Sequence, residues 1–98
     1  MHILTVAYGH PADPAAFDEH YRSTHLPLAE KLPGVRGLRA LHTASLGEDP
    51  APYHLVVELT FDSLDQLRTG LGSPQGQAAA ADLANFADGG ATLFVQHD

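Results

Sequence analysis

Between residues 2 and 8 the side chains alternate, with Leu4, Val6 and Tyr8 on one face and Ile3, Thr5 and Ala7 on the other. A period of two in a segment rich in Ile, Val and Thr predicts a β-strand. The pattern returns most clearly over residues 53–61, where Tyr53, Leu55, Val57, Leu59 and Phe61 oppose His54, Val56, Glu58 and Thr60. Residues 35–46 carry it less cleanly. There Leu38, Ala40 and His42 oppose Val35, Arg39 and Leu41, and Gly37 marks a candidate bulge. A final short strand is predicted over residues 91–96.

Two regions show the helical period instead. In residues 13–35, Asp13 and Pro14 form a helix start, and Phe17, Tyr21, Thr24 and Leu28 follow at steps of four, three and four along one stripe. His25 lies at the edge of that stripe, and Asp18 and Arg22 form a solvent-side pair. Pro27 cannot donate to the carbonyl of Ser23, so the helix must kink or restart beside His25. Pro33 and Gly34 end it. In the second region, Asp62 or Ser63 caps the helix, Ser63 with Gln66 fits a capping box, and Leu64, Leu67 and Leu71 are the buried stripe as far as Gly70 and Gly72. A further helix starts at Ser73-Pro74, with Ala79, Leu83 and Phe86 on one face, and ends at Asp88-Gly89-Gly90.

The order β-α-β-β-α-β, with the second helical region split, predicts a single α+β domain over residues 1–98. Its expected form is ferredoxin-like, a four-stranded antiparallel sheet with helices on one face. The sheet's other face would carry Ile3, Ala7, Val35, Leu41 and Val56. That is apolar for a solvated surface, and it points to two sheets packed together in a homodimer.

Composition narrows the function classes. Twelve acidic residues against five basic give a net charge of −7 without a basic run, which argues against nucleic acid and anionic membranes as partners. With no cysteine there is no disulfide, thiolate nucleophile or cysteine-based metal centre. No apolar run approaches the ~20 residues of a membrane span, and the chain begins in a strand rather than a secretory leader, so a cytoplasmic location is expected. Gly89-Gly90 follows a helix instead of opening one, and no dinucleotide fingerprint is present.

The segments FDEHYRSTHLPLAEKLPGV (17–35), YHLVVELTFDSL (53–64) and SPQGQAAAADLANF (73–86) resemble the EthD family, with HLPL at 25–28 and LPGV at 32–35 the most specific part. The resemblance covers nearly the whole chain and implies a dimeric α+β barrel. It further implies either a cofactor-free enzyme (monooxygenase, cyclase, dehydratase or isomerase) or an accessory to a partner oxidoreductase of an ether- or aromatic-degrading system. Haem-binding relatives exist in the wider superfamily.

The residues themselves suggest a small-molecule site. Tyr8, Phe17, Tyr21, Tyr53, Phe61 and Phe86 can share one interior with Leu28, and such walls suit a flat, apolar, oxygenated substrate. His25 is the candidate general acid/base, with Tyr21 one turn back to hold a substrate oxygen. No cofactor is expected. His20 and His25, about 140° apart on an α-helix, cannot grip one ion from the same face. His42 and His54 fall on neighbouring strands with no carboxylate evidently beside them, so no metal site is expected, and His10 has no assigned role. Glu58 is expected to pair with Arg39.

Overall fold

The computed structural model describes residues 1–98. Its elements are β1 (His2–Tyr8), α1 (Pro14–His20), a π-helical turn (Tyr21–His25), α2 (Leu26–Glu30), β2 (Gly37–His42), β3 (Leu55–Phe61), α3 (Leu64–Gly72), α4 (Pro74–Phe86) and β4 (Ala91–His97). The strands form one antiparallel sheet in the order β2-β3-β1-β4. This is the ferredoxin-like α+β arrangement expected from the element order.

Alternation along the strands places the core. Leu4, Val6 and Tyr8 of β1 and Leu55, Val57, Leu59 and Phe61 of β3 are all buried under the helices. Leu67 of α3, Phe86 of α4 and Phe17 of α1 pack onto them. Helix starts follow the local signals: the side chains of Asp13, Ser63 and Ser73 accept from the N–H groups of Ala16, Gln66 and Gly76. Ser73 ends α3 and caps α4 in an extended conformation, which splits the second helical region. Gly76 makes this junction compact, because a Cβ there would stand 2.3 Å from the carbonyl oxygen of Leu71.

The weaker strand differs from expectation. β2 covers only residues 37–42, and Gly37 sits in register opposite Thr60 rather than in a bulge. Val35 precedes it, out of phase with its alternation, and packs against the core instead of the open face. β3 begins at Leu55, so Tyr53 and His54 belong to the connection before it.

Apolar surface remains uncovered on both faces of β4. Leu93, Phe94 and Val95, together with Leu41 of β2, are 39–55% exposed. No helix is long and apolar enough to cross a membrane.

Candidate functional site

The site is built on the break between α1 and α2. After His20 the helix widens by one residue, and the N–H of Leu26 reaches back five positions to the carbonyl of Tyr21. The chain then restarts as α2, with Pro27 in a first turn where its missing donor is not needed. The wide turn shifts the phase of everything downstream. Phe17, Tyr21, His25 and Ala29 are buried at steps of four, whereas Thr24 is exposed and Leu28 only half-buried. The expected stripe through Thr24 and Leu28 is therefore corrected: His25 takes the inward place.

His25 is held by a carboxylate. Its Nδ1 lies 2.9 Å from Oδ2 of Asp82 on α4, and both side chains are at least nine-tenths buried. Asp82 also accepts from Nδ2 of Asn85 at 3.0 Å, and both its oxygens lie 3.0 Å from Nε2 of His20. Burial opposes the Asp82 charge, but the donors Asn85, His25 and His20 outweigh it and hold the carboxyl below its ordinary value. For His25 the balance runs the other way. Desolvation lowers its pKa, and Asp82 only partly opposes that. An ionised Asp82 facing a neutral imidazole requires the proton on Nδ1, which leaves the lone pair on Nε2. That nitrogen is 3.4 Å from the hydroxyl of Tyr8.

Beside it lies a cavity of about 80 Å³, bordered by Tyr8, Tyr21 and His25 and otherwise mainly by aliphatic side chains such as Val6, Leu59 and Leu83. Burial, with Tyr21 and Asp82 nearby, pushes the Tyr8 phenol well above its ordinary pKa, so it stays protonated. Burial and the charge of Glu30 push Tyr21 up to about 12. The Tyr21 hydroxyl is buried and has no hydrogen-bond partner.

The expected site residues are only partly brought together. His25, Tyr8 and Tyr21 meet at the cavity. Phe17 and Phe86 stand behind them, with ring centroids 5.3 and 5.6 Å from Tyr8, and Phe86 is 4.8 Å from His25. Leu28 does not line the cavity, because the π turn rotates it away and Ala29 and Leu32 take its place. Tyr53 lies in the connection before β3, outside the cavity lining. Phe61 is core: it pairs with His2 at one end of β1, six residues from Tyr8 at the other, or about 20 Å along the strand. The cavity is thus more aliphatic than the expected aromatic enclosure.

Asp82 was not among the sequence candidates, yet its signal is present. A lone carboxylate four residues before Phe86 falls on the buried side of an alanine-rich helix, where an unpaired charge would be costly. The wide turn also overturns the separation expected of His20 and His25, since both reach Asp82. Elsewhere, Glu58 pairs with Arg39 as expected. Asp18 does not pair with Arg22, which bonds Glu19; its Oδ1 instead lies 3.0 Å from Nε2 of His42 and 2.8 Å from Nε2 of His54. The carboxylate not foreseen beside those histidines is therefore Asp18.

The fold and this site define a small ferredoxin-like protein with a buried carboxylate–imidazole pair against an apolar cavity. Residues 9–90 match the EthD domain, and the chain belongs to that family. It is 46% identical over 94 residues to an uncharacterised 11.0 kDa protein of the thcB-thcC intergenic region of Rhodococcus erythropolis, covering 96% of this chain and 91% of that one. The crystal structure of an EthD family protein from Bacillus halodurans superposes with a TM-score of 0.93 at 31% identity, over 100% of this chain and 98% of the other. Two more distant structures share the fold. One is a dimeric ferredoxin-like protein of unknown function from Jannaschia (TM-score 0.72, 16% identity, 100% of both chains). The other is a cofactor-independent oxygenase from Streptomyces nogalater (TM-score 0.64, 18% identity, 99% and 90%).

Proposed function

We propose that this chain is a homodimeric, cofactor-independent enzyme that removes a proton from a compact, apolar, oxygenated substrate, with His25 as base and Tyr21 as donor to the substrate oxygen. The observation that carries this reading is the pairing, on one cavity, of an unpartnered, buried Tyr21 hydroxyl with an imidazole Nε2 held only by the long 3.4 Å contact from the Tyr8 hydroxyl. An unsatisfied buried hydroxyl costs roughly 1–3 kcal/mol, a cost that a bound carbonyl or phenol oxygen would relieve. Nε2 of His25 takes a proton from an activated C–H or O–H, and the charge that develops on substrate oxygen is met by the Tyr21 O–H. Asp82 stabilises the imidazolium that results, as in carboxylate–histidine pairs generally. Return of that proton to a different atom gives isomerisation, and its transfer to a departing hydroxyl gives dehydration. Attack of the carbanion on dioxygen would give oxygenation, the chemistry named for the Streptomyces relative.

The cavity limits what enters. Its 80 Å³ is about half of the roughly 150 Å³ that admits benzene, so only the compact reacting end is buried. The rest of the substrate leaves past Leu71 and Leu93, which line the cavity and are exposed in the single chain. The uncovered apolar residues of β4, and the dimeric state of the Jannaschia relative, support a second copy packed against this sheet.

Thermal scans against small phenols, cyclic enones and 1,3-diketones test this reading. Wild-type protein should show a saturable rise in Tm with some of them. Tyr21→Phe should be at least as stable without ligand, since it removes an unsatisfied hydroxyl, yet bind those ligands about 10-fold more weakly. Equal affinities in both proteins, or no ligand response at all, would reject it.

A further inference from the structure

We propose that Asp18, His42 and His54 form a second site, which binds one divalent transition-metal ion of the zinc class. The three residues come from α1, the last position of β2 and the residue before β3. Their ligating atoms all lie within 4.8 Å of one another, and both imidazole Nε2 atoms converge on Asp18, at 3.0 and 2.8 Å from its Oδ1. In a tetrahedral zinc site with bonds of roughly 2.0–2.1 Å, ligand atoms stand about 3.3 Å apart. The two edges that run from Asp18 Oδ1 are therefore a few tenths of an ångström short of such a site, and the third, between the imidazoles, lies within 4.8 Å, so small rotations of the two rings would admit an ion. Two imidazoles and one carboxylate are a donor set that zinc accepts, and three protein ligands leave the fourth position to water.

The most buried of the three ligands is His54. Its side chain is 14% exposed, its ring stands edge-on to Phe17 at 5.1 Å, and its backbone N–H donates to the carbonyl of Tyr8 at 2.8 Å. Its own carbonyl accepts from Thr43 at 3.2 Å, which fixes both ends of the connection from residue 43 to residue 54. A metal ion here would clamp that connection to α1. Phe17 separates this cluster from the His25–Asp82 pair, packing on His54 with one side and on Tyr8 and Phe86 with others. The two sites are thus distinct but share a wall.

The test uses the full chain, stripped with chelator and titrated with zinc chloride and, separately, cobalt(II) chloride. We expect one zinc ion per chain, a Tm rise of about 10 °C at a hundred-fold excess over Kd, and visible d–d absorption from the cobalt complex. Asp18→Asn and His54→Gln should each weaken binding at least 10-fold, while His97→Gln, at the far end of the sheet, should leave it unchanged. A wild-type protein that gives neither saturable heat nor cobalt colour overturns the proposal whatever the variants do. So does a complex whose affinity is the same in Asp18→Asn as in wild type. Either result would leave the trio as a hydrogen-bonded clip between α1 and the β2–β3 connection.

Discussion

Asp82→Asn should leave the protein folded and lower turnover of its substrate by roughly 10²–10⁴-fold, the range a positioned general base contributes. An amide is nearly isosteric with the carboxylate. Its oxygen can keep the bonds from Asn85 Nδ2 and His20 Nε2, which meet Oδ1 at 3.0 Å. Its NH2 then faces His25 Nδ1, where Oδ2 stood at 2.9 Å. A donor in that place drives the imidazole proton to the other nitrogen, and Nε2 meets the cavity as N–H instead of a lone pair. His25→Ala should cost as much in turnover, and the two changes together should cost little more than either alone. Because burial lowers the His25 pKa below its ordinary 6.5, the neutral base persists on acidification. The kcat/KM plateau should extend below pH 6.5 and fall only beyond it. Circular dichroism and turnover of Asp82→Asn, measured side by side, check the argument; full activity in the folded variant would dismiss the carboxylate's role.

Phe61→Ala should destabilise the fold by roughly 3–5 kcal/mol, a cost typical of truncating a buried phenylalanine. Phe61 is 0% exposed, and its ring lies close enough to α3 that a Cβ on Gly70 would stand 3.1 Å from it. Deleting the ring opens a void between the sheet and α3 that neither the strand nor the helix can collapse into without breaking its own hydrogen bonds. The loss is a large share of the 5–15 kcal/mol that holds an ordinary domain. Urea titration should show an earlier midpoint with an unchanged slope. Protein that remains folded should keep its cavity, which Phe61 does not border. A loss under 1 kcal/mol would mean that this end of the core is looser than the packing shows.

Much of this architecture was legible in residue order. Period-two alternation located β1 and β3, and Asp13, Ser63 and Ser73 announced the three helix starts they cap. Pro27 signalled the discontinuity beside His25. Its form was not legible, because whether a helix widens, bends or restarts depends on what the next turn packs against. That one unseen residue of phase exchanged His25 for Thr24 in the interior and turned Leu28 aside. Asp82 was hidden for a related reason. Sequence periodicity marks where apolar side chains gather, and a carboxylate in that stripe has meaning only once its partners, His20 and His25, arrive from another helix. The same holds for Asp18, His42 and His54, which lie 24 and 36 residues apart along the chain and meet only after the sheet forms.

The proposed chemistry depends on which His25 nitrogen carries the proton. Long-range ¹H–¹⁵N spectra of uniformly labelled protein, titrated from pH 8 to pH 5, read that directly. We predict a neutral ring protonated at Nδ1 at pH 7, with its midpoint below 6.5 and Nε2 shifting when a cavity ligand is added. A ring already cationic at pH 7, or protonated at Nε2 and indifferent to every ligand, would contradict it.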